Sequence, residues 1–255
     1  MQLDIVFKKE KIILPICTSA TIQGLLYNAL KIDYEYSTNI HNFGNRSEGR
    51  NFKLFTFSEL QGKYVIEDNN IIFLDKTRLS VRAADAYLIQ LLFTCFSKNK
   101  FMTLAGQKVE VSDLQLKDNH IYKNEIVVKT LSPITVYITE QNGRTIYFSP
   151  YDEEFYNGIV SNGRRKWISF YGSDESFKLE ITPIKEKGFI KRATRFKDTF
   201  ITAWHGTFKL TAPSEVLNFL YNTGIGSKNS QGFGLFEVID SQNIQDITEQ
   251  FSERE

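Results

Sequence analysis

Cysteine is nearly absent from this chain: its 255 residues include two, Cys17 and Cys95, far apart and without ligand-type neighbours at metal-binding spacing. That excludes a disulfide framework and argues for buried free thiols in a reducing compartment. Long apolar runs are missing too. No stretch of 18 apolar residues occurs, and Met1–Glu10 carries Lys8 and Lys9 within an alternating pattern rather than a basic segment followed by an apolar one. A membrane span and a secretory leader are therefore not expected, and a cytoplasmic protein is. No two His, Asp or Glu residues stand at a convincing ligand spacing such as HxxxH or DxD, so neither a metal nor a cofactor is expected. The nearest acidic cluster, Asp152-Glu153-Glu154, reads as charge favouring a helix N-terminus.

What is present is an ordinary globular composition, 42% hydrophobic and 24% charged, with 21 Phe and 12 Tyr against 2 Trp. Such a length holds one large domain or two small ones. The net charge of +1 hides a polarised distribution. Between Gly158 and Lys197 there are ten basic residues, among them Arg164, Arg165 and Arg192, against four acidic ones, while Glu237–Glu255 holds six acids and only Arg254. A basic face suited to polyanions is compatible with near-neutrality overall.

Four glycines punctuate Gly224-Ile225-Gly226-Ser227-Lys228-Asn229-Ser230-Gln231-Gly232-Phe233-Gly234. They permit positive φ and close backbone approach, and the residues between them supply donors without a carboxylate, as a phosphate-binding loop requires. A structural turn is the competing reading. The loop follows the helix-like Pro213–Tyr221 and precedes the strand-like Leu235–Ile239, the reverse of a dinucleotide fingerprint, and no GxxxxGK[ST] run is present.

Hydrophobic periodicity places a strand at Gln2–Phe7, a helix at Ser19–Lys31, strands at Lys53–Ser58, Tyr64–Glu67 and Asn70–Asp75, a helix at about Ser80–Phe96 capped by Ser80, and strands at Phe101–Leu104 and Lys108–Leu114. The second half reads as strands at Glu125–Ile138 and Thr145–Phe148 around an Asn142-Gly143 turn, a helix at about Glu153–Ser169, and strands at Phe177–Ile184, Ile190–Phe196 and Phe200–Leu210. The helix Pro213–Tyr221, the glycine loop and a last strand complete it. Two tandem ferredoxin-like (RRM-like) β-α-β-β-α-β domains of the α+β class follow, at 1–118 and 119–255. Four-stranded sheets of this kind are common RNA-binding platforms.

Several ordered motifs now carry a resemblance: Gln23-Gly24-Leu25-Leu26-Tyr27-Asn28-Ala29-Leu30, His41, Lys53-Leu54-Phe55-Thr56-Phe57-Ser58, Thr130-Leu131-Ser132-Pro133-Ile134, Thr202-Ala203-Trp204-His205, and Gly224–Gly234 running into Leu235-Phe236-Glu237-Val238. Together they resemble the CRISPR-associated endoribonucleases that cut precursor CRISPR RNA within its repeats, over nearly the whole chain. The resemblance implies a metal-independent cut in which the RNA's own 2′-hydroxyl is the nucleophile, leaving a 5′-hydroxyl and a 2′,3′-cyclic phosphate. It implies a catalytic Tyr on the first helix, a His shortly after it and a Lys just before the second strand, which here are Tyr27, His41 and Lys53. Histidine as a residue type titrates near neutrality, so the resemblance implies His41 as base or acid, Tyr27 as an acid or an orienting hydroxyl, and Lys53 as the cation for the phosphorane charge; which group is acid and which is base stays open.

The segment Asn42–Phe52 is longer than in compact family members, and with Gly44 and Gly49 it reads as a mobile loop, leaving Arg46 or Arg50 as substitutes for Lys53. His205 reads as structurally satisfied and His120 as a linker residue. The expected RNA contacts are Gly224, Gly226, Lys228, Asn229, Ser230, Gln231, Gly232 and Gly234, with Arg164, Arg165 and Arg192 from the basic stretch. The partner implied is CRISPR repeat RNA, with other CRISPR-associated effector proteins and a homodimer left open. The alternative to an enzyme is a non-cleaving repeat-binding subunit of a CRISPR ribonucleoprotein.

Overall fold

The computed structural model describes residues 1–42, 44–184, 186, 188–196 and 199–239; the side chain of His41, the lysines at 185, 187 and 197 and the acidic tail beyond 239 lie outside the described residues. In chain order the first half contains β1 (Gln2–Pro15), α1 (Ser19–Leu30), α2 (Tyr34–Asn42), β2 (Asn45–Ser47), β3 (Arg50–Phe52), β4 (Phe55–Phe57), β5 (Gln61–Glu67), β6 (Asn70–Ala83), α3 (Ala86–Lys98), β7 (Phe101–Leu104) and β8 (Gln107–Lys117). The second contains β9 (Glu125–Thr130), β10 (Tyr137–Thr139), β11 (Thr145–Tyr147), α4 (Glu153–Tyr171), β12 (Glu180–Pro183), β13 (Ile190–Phe196), β14 (Thr199–His205), β15 (Thr207–Thr211), α5 (Ser214–Thr223) and β16 (Phe236–Ile239).

One antiparallel sheet has the order β4-β6-β1-β8-β7 with β5 also on β6, and the other the order β12-β15-β9-β16. In both, the first strand lies between the third and fourth of the β-α-β-β-α-β unit, so the ferredoxin-like arrangement occurs twice. Alternation drives it. Leu3, Ile5 and Phe7 of β1 are buried with Ile22, Leu25, Leu26, Ala29 and Leu30 of α1 and with Leu88, Ile89, Leu92 and Phe96 of α3. A bulge between Lys9 and Lys11 switches the parity, so that Ile12 and Leu14 return to the same buried face. The second core gathers Val128, Phe155, Ile159, Trp167, Phe208, Leu210, Leu217 and Phe236.

Several elements differ from the sequence expectation. Ser80 is not a helix cap: it lies in β6, buried, where its hydroxyl donates to Asp4 (2.7 Å), because β6 pairs with β1 from Asn70 to Arg82 and Leu79, Val81 and Ala83 alternate as strand residues. Asp85 caps α3 instead, accepting from the Tyr87 amide at 2.9 Å. The expected loop before Lys53 is the end of helix α2 followed by the β2–β3 hairpin, turned at Glu48-Gly49. The strand Glu125–Ile138 is interrupted after Thr130, leaving Tyr137–Thr139 to pair with Thr145–Tyr147. Phe200–Leu210 is two strands separated at Gly206 and paired to different partners. In these last two cases a local alternating pattern continued across a point where tertiary pairing changes partner.

The two units are joined through a buried guanidinium. Arg82 of β6 is 2% exposed; it donates to the Gln2 side chain (2.7 Å) and the Phe236 carbonyl (2.5 Å), and stacks on the Tyr221 ring at 3.5 Å. Burial pulls its pKa down to about 10, which leaves it charged at neutrality. Beside it Asp4 accepts from Gln2, Ser80 and Lys117 at 2.6–2.7 Å. Burial opposes ionisation of Asp4, yet these donors outweigh it and hold the carboxyl below its usual range. Replacing Arg82 by Met strands the Phe236 carbonyl and leaves the Gln2 amide oxygen only the Tyr221 hydroxyl at 3.3 Å. The expected loss is about 3–5 kcal/mol in urea unfolding, and a change below about 1 kcal/mol would show the guanidinium to be dispensable.

Candidate active site

The glycine loop leaves α5 at Gly224 and turns through a single 3-10 turn, Asn229–Gln231, flanked by Lys228 and Gly232 in left-handed conformations. Its shape is held from inside. Asn229 is buried, and its amide donates to the carbonyls of Ile225 (3.1 Å) and Phe233 (3.0 Å). At Gly234 a Cβ would stand 1.8 Å from the Ile225 carbonyl oxygen, so the close return of the loop on itself requires glycine there.

The loop is also fastened to the first unit. Gln23 of α1 donates to the Ser230 carbonyl (2.7 Å), Thr56 of β4 donates to the Phe233 carbonyl (3.1 Å), and the Phe57 ring lies against Gly232. The chain thus places a loop from its last fifty residues against a helix and strand from its first sixty.

Between them lies a cleft of about 370 Å³ lined by Tyr27, Arg50, Asn51, Lys53, Tyr137, Lys166, Lys228, Ser230 and Gln231 among others. The Lys53 ammonium is 5.5 Å from the centroid of the Tyr27 ring, which packs edge-on against Phe55 at 6.0 Å. Burial pushes the Tyr27 phenol above its usual pKa, so it stays a hydrogen-bond donor at neutral pH. The Lys228 ammonium is 4.9 Å from the centroid of the Tyr137 ring.

Position 41 lies in the last turn of α2. The other end of α2 is tied to α3 by exchanged caps: Asp33 accepts from the Tyr36 amide (3.0 Å) and the Tyr87 hydroxyl (2.8 Å), while Asp85 accepts from the Tyr87 amide and the Tyr36 hydroxyl.

Of the expected site residues, Tyr27 and Lys53 therefore share a cleft with Lys228, Asn229, Ser230 and Gln231. Of the two arginines considered in place of Lys53, Arg50 lines this cleft and Arg46 is exposed on β2. Arg164 is ion-paired to Asp174 on the surface. Arg165 is half-buried, its pKa drawn down by burial and by neighbouring Arg50. Arg192 is exposed on the β13–β14 hairpin and lines a separate groove with Ile16, Glu59 and Tyr64. His205 contacts Thr130 (3.0 Å) and Glu59 (3.2 Å), which accounts for it structurally, and His120 is exposed between the two sheets' strands.

A larger cavity, about 500 Å³ around Asp4 and Arg82, contains none of the expected site residues. Sequence reasoning missed the anchoring role of Gln23, the presence of Tyr137, and Lys166. Only Lys166 left a signal: it falls on the buried stripe of α4 with Phe155, Ile159, Asn162, Gly163 and Trp167, where a charge is out of place.

A protonated phenol, three lysines and an arginine around one opening, with no carboxylate among the described residues lining it, suit an anionic group such as a phosphodiester. Residues 115–238 match the family model described as CRISPR associated protein Cas6, C-terminal. The chain is similar to Cas6 proteins beyond that segment as well. It is 26% identical over 230 residues to the CRISPR-associated endoribonuclease Cas6 1 of Methanocaldococcus jannaschii, covering 87% of this chain and 86% of that one. It is 27% identical over 245 residues to the CRISPR-associated endoribonuclease Cas6 of Pyrococcus furiosus, covering 90% and 85%. Among solved structures, one titled "An RAMP protein binding different RNA substrates" superposes with a TM-score of 0.81 at 20% identity, covering 94% of this chain and all of that one. At that identity the superposition speaks for the fold of this chain alone. Its glycine loop is a rigid part of that fold. Gly234→Ala is expected to destabilise the protein by about 2 kcal/mol or more in chemical unfolding, from left-handed strain and overlap together; a wild-type midpoint would refute the packing described.

Proposed function

We propose that this protein is an endoribonuclease that cuts precursor CRISPR RNA within its repeats, without a metal, by attack of the 2′-hydroxyl on the adjacent phosphate. The observation that carries the reading is the single cleft in which Tyr27 and Lys53 face the glycine loop. The family relationship and the names of the curated relatives support it.

In this reading a base removes the 2′-OH proton, the O2′–P bond forms as the P–O5′ bond breaks, and an acid protonates the leaving oxygen. The products are a 2′,3′-cyclic phosphate and a 5′-hydroxyl. His41 supplies one of the two proton transfers. Tyr27, held protonated by burial, suits donation to the leaving oxygen or to a phosphate oxygen. Lys53, with Arg50 on the same cleft wall, stabilises the charge on the phosphorane. Lys228, Ser230 and Gln231 contact the RNA backbone, while Gly224, Gly226, Gly232, Gly234 and Asn229 shape the loop that presents them.

We assign the catalytic residues to a domain of residues 1–118 and the loop to a second of 119–255, in a cytoplasmic protein whose Cys17 and Cys95 are free thiols. No helix among the described residues is long and apolar enough to cross a membrane. Light scattering with and without repeat RNA tests for a homodimer, and co-purification tests for effector partners.

Purified protein is expected to cut a labelled repeat in EDTA, and tight binding without cutting would make it a repeat-binding subunit instead. His41→Ala is expected to slow single-turnover cleavage by about 10²–10⁴-fold while leaving repeat affinity nearly unchanged; cleavage at the wild-type rate removes His41 from the mechanism. Charge reversal at Arg165 or Lys228 is expected to weaken binding and to lower the salt slope by about one for each phosphate that is no longer neutralised. The same measurement on Arg164→Glu and Arg192→Glu decides whether the RNA extends to the outer end of α4 and the β13–β14 hairpin.

A further inference from the structure

Lys166 is a lysine without surface: it is 2% exposed, on the buried stripe of α4, at the base of the cleft. Its ammonium donates to the Gly224 carbonyl (2.5 Å) and the Asn229 side-chain carbonyl (3.0 Å), with the Thr223 carbonyl at 3.5 Å. Three acceptors match the three protons of an ammonium. Two are carbonyls at the end of α5, where a helix presents its negative pole, and the third belongs to the side chain that closes the glycine loop on itself. Among the described ion pairs none involves Lys166, and burial lowers its pKa to about 7. Burying a cation without a counter-charge costs several kcal/mol, whereas a methionine would fill the same space with almost no such cost. The gain is therefore to be sought in what the ammonium holds.

We infer that Lys166 is a positioning residue: it clamps the end of α5 to Asn229 and so holds Lys228, Ser230 and Gln231 across the cleft from Tyr27 and Lys53. The inference rests on the RNA-cleaving reading for its consequence, but the clamp itself is a property of the free protein. Lys166 lies beneath the loop and reaches it through hydrogen bonds, so it acts on RNA affinity through its neighbours. Its loss is expected to raise the Kd for the repeat and to spare the rate of the bound complex. In its protonated form Lys166 also adds to the field of Arg50, Lys53 and Lys228 in the same cleft.

The test uses the full chain with Lys166→Met and Lys166→Gln, the second retaining one amide donor without the charge. Hydrogen exchange at Ile225, Gly232 and Gly234, whose amides are bonded within the loop or to Pro133, is expected to accelerate by tenfold or more in Lys166→Met, with the β1 and β9 amides unchanged. Lys166→Gln is expected to fall between Met and wild type. For RNA, Lys166→Met is expected to raise Kd for the labelled repeat by 10- to 100-fold with the single-turnover rate at saturating RNA within threefold. Adding Lys228→Ala to Lys166→Met is expected to cost less than Lys228→Ala costs alone.

Unchanged loop exchange in Lys166→Met overturns the inference, whatever the RNA does. So does a fall in the saturated rate with Kd unchanged, since that places the amine at the reacting atoms. If Lys166→Met does not fold, Lys166→Gln with wild-type loop exchange and Kd overturns it in the same way. Loosened loop exchange together with wild-type repeat binding by Lys228→Ala upholds the clamp and removes the loop from the RNA contacts instead.

Discussion

The buried guanidinium of Arg82 is the constraint from which the rest of the molecule follows. A charge buried between two sheets costs several kcal/mol unless it finds acceptors, and those of Arg82 come from both units: Gln2 at the start of β1 and the Phe236 carbonyl at the start of β16, beside the Tyr221 ring. Satisfying it brings the end of α5 and the start of β16 against β6. The glycine loop is the segment between those two elements, so its position is set at both ends before any of its own contacts are counted.

The loop's contacts then complete a cleft. Gln23 and Thr56 hold its carbonyls, Asn229 closes it, and Lys166 supports it from beneath. Asn229 and all four glycines are occupied with geometry, which leaves Ser227, Lys228, Ser230 and Gln231 half-exposed on the cleft side. A loop rich in donors thus divides into a frame and a few groups that face a ligand. Rigid presentation of this kind spares the binding free energy that ordering a flexible loop would consume.

The opposite wall is built by a different device. Tyr27 is fixed by the apolar stripe of α1, which buries its neighbours Leu25, Leu26, Ala29 and Leu30 and leaves the phenol at the cleft. Lys53 sits in the short break between β3 and β4, where the backbone at Leu54 takes positive φ. Helix α2, bearing position 41, is anchored at its far end by the exchange of Asp33 and Asp85 with Tyr87 and Tyr36. Three segments with separate local causes therefore meet only because the first core holds α1, α2 and β4 together.

Alternation and helical spacing determined most of the elements, because burying one face of a strand or helix is a local requirement: β7 and β13 have the boundaries that the pattern implies, and α1 and α5 lie within two residues of theirs. The ordered motifs around Tyr27, Lys53 and Gly224–Gly234 likewise carried the resemblance to the CRISPR-associated endoribonucleases. The sequence could not show that Ser80 belongs to a strand, since only pairing of β6 with β1 along its whole length decides that. It could not separate Asn229, turned inward, from Lys228, turned outward, because adjacent polar residues differ only in what surrounds them. Nor could it reveal that Lys166, one of ten basic residues in a solvated-looking run, lies beneath the glycine loop. Secondary structure follows from neighbours a few residues away, whereas the site is assembled from residues up to about two hundred positions apart, and only tertiary packing brings those into contact.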